Sequence, residues 1–420
     1  MVPDERAAPA PRARLQHADI VHFPVRDGEL VVGGVPLRRL AARVGQTPFY
    51  AYDRGVLRAR VEALRAVLPQ AVRLHYAMKA NPMPALVAYM VGLVDGIDVA
   101  SAGELKVALD GGADPREVSF AGPGKRDTEL WQAVASGVLV NLESAREIAP
   151  LAEAAQALGV QARVAIRVNP DFELKGSGMK MGGGAKPFGV DAAQVPGLLR
   201  EVAGAGLAFE GFHLFAGSQN LSAGAICEAQ RQSFDLAVHL ASHAPAPVRL
   251  LNLGGGFGIP YFPGEQRLAL APIADNLSAL CDRASRELPG AQLALELGRY
   301  LVGEAGIYVC RVMDRKTSHG QTFLVTDGGL HHHLAASGNF GQVVRRNYPV
   351  AIGTRAAEPQ TQVASVVGPL CTPLDVLADR MLLPPAGIGD LVVVFQSGAY
   401  GASASPHAFL GHPAPIEVLV

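Results

Sequence analysis

The sequence predicts an α/β fold: a (β/α)8 TIM-type barrel followed by a C-terminal β domain of sandwich or barrel type. Two observations predict the barrel. Short apolar or β-branched runs recur about every 31 residues through the middle of the chain, and segments of helical spacing lie between them. A third observation sets off the second domain: beyond Arg299 the texture turns to β-rich pieces broken by Gly and Pro.

Residues 1–19 mix charges and prolines and lack the apolar core of a secretory signal, so they read as a frayed tail. Segment 20–46 has Val-rich pieces punctuated by Gly28, Gly33 and Gly34 and no helical period; it is expected to pair with the β domain. The barrel is expected over 47–298. Its strands are assigned to 72–77, 96–100, 118–121, 138–141, 164–168, 209–215, 248–253 and 292–296. Segments 104–109, 144–158 and 231–243 carry Ala and Leu at three- and four-residue spacing, as crossover helices should. Periodicity alone does not close a barrel, so an open doubly wound sheet stays as the alternative. Residues 299–420 form the β domain, with strands expected at 305–314, 322–326, 362–367 and 391–395.

Composition narrows the partners. Of 420 residues 49% are hydrophobic and 18% charged, with a net charge of −1, so the field of the molecule gives no reason to expect nucleic acid or an anionic membrane. The longest uncharged apolar stretch, 82–94, is too short to span a bilayer. Cys227, Cys281, Cys310 and Cys371 are widely spaced without a CxxC, which points to reduced thiols in a cytoplasmic protein rather than a zinc site or disulfide framework. His331, His332 and His333 are not expected to bind a metal, because consecutive residues on a strand alternate faces.

Barrel active sites lie at the C-terminal ends of the strands. The first run ends in Lys79, where partial desolvation is expected to lower the proton affinity of the amine and make it a nucleophile toward a carbonyl. The seventh ends in Gly254-Gly255-Gly256, a loop able to offer backbone N–H groups to a phosphate, although a tight turn would read the same way. The eighth ends in Glu296 and Arg299, and the sixth in Gly217-Ser218. An amine, a phosphate cradle and a buried carboxylate together suit pyridoxal 5'-phosphate.

The motifs Tyr76-Ala-Met-Lys79-Ala-Asn81, Val99-Ala-Ser101-Ala-Gly-Glu104, Gly217-Ser218-Gln219, Gly254-Gly-Gly256-Phe-Gly258, Glu296-Leu-Gly-Arg299, Cys371 with Asp375, and Gly398-Ala-Tyr400 occur in order. With them the chain resembles the alanine racemase-like decarboxylases of fold type III, the group that includes diaminopimelate, ornithine and arginine decarboxylases. The resemblance implies that Lys79 carries the cofactor aldehyde and that Asp98 and Arg167 line the cofactor. It also implies that Glu296 faces the pyridine nitrogen and that Ser218, Gly254, Gly255, Gly256, Arg299 and Tyr400 receive the phosphate. It implies a homodimer with shared sites, in which Cys371 protonates the product and His213, Thr372 and Asp375 lie toward the substrate.

Several positions depart from that pattern. Phe215 stands where a stacking histidine is usual, and Leu297 where a proline is usual. Thr372 replaces an acid, and His331-His-His333-Leu-Ala-Ala-Ser337 replaces the Arg-Pro-x-Leu-Tyr segment that diaminopimelate decarboxylases use on the distal end of their substrate. These departures, with Ile166-Arg-Val-Asn-Pro170, Lys180-Met-Gly-Gly183 and Ser405-Pro-His407, resemble decarboxylases that act on a glutamyl group thioesterified to an acyl carrier protein in butirosin biosynthesis, and related ones encoded beside exosortase systems. The implied substrate is an aminoacyl carrier protein; Arg345 and Arg346 could meet it, although two adjacent arginines are more often a solvated turn. A free amino acid decarboxylase of diaminopimelate or ornithine type is the alternative, and a non-catalytic pyridoxal phosphate carrier is disfavoured by the long domain bearing Cys371 and Tyr400.

Overall fold

The computed structural model describes residues 16–173, 176, 178–180 and 182–420; the greater part of the expected tail (1–15) and Met181 of the 180–183 motif lie outside them. Eight parallel strands form the barrel: Val72–Ala77, Gly96–Val99, Val118–Phe120, Leu139–Leu142, Arg163–Asn169, Ala208–Leu214, Leu250–Gly255 and Gln292–Leu297. They pair in chain order, the eighth against the first and the fourth against the fifth, so the sheet closes and the open-sheet alternative falls.

The strands read as apolar runs because one face packs on the outer helices while the other fills the barrel interior. Helix Ala102–Asp110 starts where Ser101 Oγ accepts from Glu104 N and the Glu104 carboxylate reaches back to Ala100 N, a reciprocal cap that fixes the chain as it leaves the second strand. Helix Ala223–Ala241 begins earlier than its Ala/Leu spacing suggested, because Ser222 caps it and Ile226, Cys227 and Phe234 extend the buried stripe.

Inside, the barrel is polar to an unusual degree. His75, Asp98, Ser119, Asn141, Arg167, His213, Asn252 and Glu296 are all buried there, at positions where such barrels ordinarily carry branched aliphatics. Register brings them side by side: Asp98 lies opposite Ser119, Arg167 opposite His213, and His75 opposite Glu296.

The β domain is an eight-stranded sheet organised on the long strand Gly306–Ser318, which pairs with Gln321–Thr326, Leu391–Val394 and Phe49–Tyr52. Segment 20–46 differs from expectation. Its strands Val25–Arg26, Glu29–Val32 and Val35–Pro36 pair only with one another, and the chain then forms the helix Leu37–Val44. The cause is local: Gly28, Gly33 and Gly34 take positive φ and turn the chain back every few residues. This small sheet meets the β domain through side chains, with Phe23, Leu30, Val32 and Leu37 packed against Ile307, Val309, Val393 and Phe395. The strand that does enter the large sheet from the N-terminal side is Phe49–Tyr52, held between Gly306–Ser318 and the C-terminal strand Ile416–Leu419.

Candidate active site

Lys79 lies in the single turn Met78–Ala80 directly after the first barrel strand. Three bonds fix that turn. Tyr76 OH donates to Asn81 O (2.8 Å), Asn81 Nδ2 donates to Gly398 O (2.9 Å), and Tyr400 N donates to Ala80 O (2.7 Å). The last two join the mouth of the barrel to the β domain, which is how Tyr400 comes to face Lys79.

A cavity of about 300 Å³ opens at this mouth, lined by Lys79, Asp98, Arg167, Phe188, Phe215, Ser218, Glu296 and Tyr400. A narrower cleft continues from it past Gly256 to Arg299. Lys79 is 41% exposed, and its ammonium lies 3.7 Å from Glu296 Oε1 and 5.2 Å from the centre of the Phe215 ring. Burial opposes the charged amine, but Glu296, Tyr400 and Asp98 outweigh it, so the pKa of Lys79 is raised. This corrects the expectation of lowered proton affinity: the lysine was read by its apolar strand, and the acid that meets it comes from the eighth strand.

Glu296 is the hub. Burial works against its charge, yet Lys79 and the 2.9 Å bond from His213 Nε2 to Oε2 hold it well below the usual carboxylate range. His213, expected on the substrate side, therefore orients Glu296, and its Nδ1 is buried without a partner among the described residues. Arg167 Nη1 donates to Glu143 Oε1 at 2.8 Å and its guanidinium lies over Phe188. Glu143 also accepts from Gly189 N (3.0 Å) and from Gly122 N. Glu143 and Phe188 are not among the site residues expected from the sequence. Glu143 lies just past the fourth strand, where the strand-end rule would have found it; Phe188 lies in a long insertion with no periodic signal.

Gly254 and Gly256 have positive φ, and a Cβ at Gly255 would stand 2.1 Å from Glu296 O. The glycines let the seventh strand end close against the eighth and leave the cleft beside Ser218 open. Arg299 Nη1 donates to Tyr261 OH (3.2 Å) and its guanidinium stacks 4.7 Å from the Tyr400 ring centre. A phosphorylated pyridine aldehyde fits this arrangement. Ser218 Oγ and Asp98 Oδ2 are buried polar atoms of cavity-lining residues with no partner among the described residues. Buried groups of that kind need a partner, and an anion with a ring hydroxyl provides one for each.

The other expected residues lie apart from the cavity. Cys371 is exposed on the turn after strand Gln362–Val367, and neither it nor Thr372 lines the cavity. Asp375 is buried; its oxygens accept from Leu330 N (2.6 Å) and Leu370 N (2.8 Å), so it braces the Cys371 turn. His332 bonds Tyr308 OH and Pro413 O, and His333 bonds Ser397 Oγ, so these rings point into the β domain. Arg345 donates to Ser337 O and Val376 O and is therefore unavailable to a carrier protein, a correction; Arg346 is half-exposed, pairs with Glu265 and covers Phe262.

Comparison with known proteins agrees with this geometry. The family described as "Pyridoxal-dependent decarboxylase, pyridoxal binding domain" matches residues 54–303. An L-glutamyl-[BtrI acyl-carrier protein] decarboxylase of Niallia circulans is 38% identical over 89% of each chain. A diaminopimelate decarboxylase of Aquifex aeolicus is 35% identical over 95% of this chain and 92% of its own. The crystal structure of M. jannaschii diaminopimelate decarboxylase in complex with L-lysine superposes with a TM-score of 0.85 at 25% identity, covering 95% and 93% of the two chains. The chain belongs to the pyridoxal-dependent decarboxylases and is a carboxy-lyase that works with pyridoxal phosphate.

Proposed function

We propose that the enzyme removes the α-carboxylate of a glutamyl-type aminoacyl group carried as a thioester on an acyl carrier protein. The observation that carries this reading is the fate of the segment 331–337. Where a decarboxylase of a free diamino diacid needs a cation for the distal carboxylate, this chain has three histidines buried in the β domain, and burial keeps all three rings neutral. A thioester masks that carboxylate and removes the need for a counter-charge. The 38% identity to the glutamyl carrier protein decarboxylase of Niallia circulans supports the same substrate class.

In this reading Lys79 holds the cofactor aldehyde, and Ser218, the Gly254–Gly256 turn, Arg299 and Tyr400 hold its phosphate. Bound there, the cofactor supplies the electron sink for the pair left when carbon dioxide departs. Glu296, kept ionised and fixed by His213, holds a proton on the pyridine nitrogen and so strengthens that sink. Phe215 offers an apolar face for the ring, and Arg167, braced by Glu143, closes the cavity wall. The carbon that loses carbon dioxide must gain a proton, and we assign that step to the thiol of Cys371 of the partner subunit in a homodimer. Cys371 is exposed, and Phe340, Val343, Val344 and Leu374 leave apolar surface exposed on the same domain, which a second copy would cover. No helix among the described residues is long and apolar enough to cross a membrane, and we place the enzyme in the cytoplasm with its thiols reduced.

Mass spectrometry of the products decides the substrate. Glutamyl carrier protein should lose 44 Da, while free meso-diaminopimelate and ornithine should turn over at least about 100-fold more slowly. Conversion of free meso-diaminopimelate to lysine at ordinary turnover, with the carrier-bound group untouched, would overturn the proposal in favour of the second reading, which the 35% identity to the Aquifex aeolicus enzyme supports.

A further inference from the structure

Asp98 would meet the cofactor, but nothing in the cavity orients it. Its support comes from below. His75 lies on the inward face of the first strand, four residues before Lys79; strand alternation puts His75 and Ala77 on one face, beneath the turn Met78–Ala80 that carries Lys79. The imidazole is 4% exposed, and its Nδ1 lies 3.3 Å from Asp98 Oδ1; Ser119 Oγ donates to the same oxygen. Both donors therefore converge on Oδ1, and Oδ2, on a residue that lines the cavity, has no partner among the described residues.

The neighbouring strand makes room for this. Gly96 is the residue in register with His75, and a Cβ there would lie 2.7 Å from His75 Nε2. Only glycine lets the ring lean across the second strand and reach Asp98 two residues further along. Asp98 and, more weakly, Glu296 favour the charged ring, Arg73 opposes it, and Arg116, Glu117, Arg163, Glu210 and Arg249 line the cavity below the ring; burial is outweighed by Asp98, so the imidazole is held above its ordinary pKa. An N–H at Nδ1 is thereby favoured.

We propose that His75 is a positioning residue: from beneath the cavity it donates Nδ1–H to Asp98 Oδ1 and so turns Oδ2 of Asp98 toward the cofactor. The inference rests on the reading of the cavity given above, because it assumes that Asp98 faces bound cofactor. Gly96 is part of the same device, since it determines where the ring can sit.

The holoenzyme tests it. His75→Leu should lower kcat about 10-fold or more, as loss of a group that orients a working ligand does, with KM little changed. It should also shift the pH titration of the absorbance band of the Lys79-bound cofactor. His75→Asn, which keeps a donor near the Nδ1 position, should restore most of both. A variant-independent check is the imidazole 15N spectrum of the wild type, in which Nδ1 of His75 should be protonated. The inference is overturned if His75→Leu leaves kcat and the band titration unchanged while Asp98→Asn alters them, if His75→Asn is as impaired as His75→Leu in folded protein, or if Nδ1 carries no proton. Should Asp98→Asn itself leave kcat, cofactor affinity and the band unaltered, the placement of cofactor against Asp98 fails, and the inference with it.

Discussion

Two buried polar clusters, one at the mouth of the barrel and one in the β domain, show what burial does to ionisable groups with and without partners. At the barrel mouth Lys79, Glu296, Arg167 and Glu143 lie close together; burial opposes the charge on each acid, yet opposite charges hold the pKa of Glu296 and Glu143 down and that of Lys79 up. In the β domain no acid offsets the burial of His331, His332 and His333, and their pKa values fall to about 3, 4 and 3. The first cluster keeps its charges and leaves atoms of Ser218 and Asp98, beside a cavity, unpartnered among the described residues. In the second, His332 and His333 bond backbone and hydroxyl groups within the fold, while neither ring nitrogen of His331 has a partner among the described residues. The first is built to receive a ligand and the second to hold a domain together.

Substitutions should separate the two. Glu296→Gln keeps the shape of the site but removes the charge that holds the pyridine proton, and kcat should fall about 100-fold with cofactor still bound, as steady-state rates and cofactor absorbance will show. A fall of less than threefold would move Glu296 into the purely structural class. The histidines should act on stability instead. Their folded pKa values lie below the unfolded value of 6.5, so the unfolded chain binds the extra protons in acid. Stability is then complete above about pH 6.5 and falls as the pH drops toward 4, by about 1 kcal/mol per pH unit for each fully buried ring. Denaturant midpoints measured from pH 7 to 4 should show this slope, and His333→Asn should lower it by about one ring's share, about 1 kcal/mol per pH unit, without changing kcat at pH 7. The smallest effect is expected from Phe215→Ala, which removes an aromatic contact of about 1 kcal/mol and should weaken cofactor affinity about fivefold.

The same contrast marks what could be read from residues alone. The eight barrel strands were legible because each is an apolar run of the right length between Gly or Ser breaks, and Lys79, Glu296 and Arg299 because they stand at strand ends. His75 and Ser119 were not legible: they alternate inward inside strands otherwise called apolar, and only closure of the barrel brings them to Asp98. The pairing of Glu296 with Lys79 crosses 217 positions and depends on the first and eighth strands meeting. Segment 20–46 was misjudged because two-residue strands carry too little pattern to specify their partner. Asp375 was assigned to the substrate from its place beside Cys371, whereas its backbone donors arrive from Leu330 and Leu370, the first of them 45 residues away.

The most direct test of the central claim, that Lys79 carries the cofactor, is borohydride reduction of the holoenzyme followed by peptide mass spectrometry. The phosphopyridoxyl mass should fall on the peptide containing Lys79 and vanish in Lys79→Ala, along with the cofactor absorbance and activity. A label on any other lysine, or one that persists in Lys79→Ala, would contradict it.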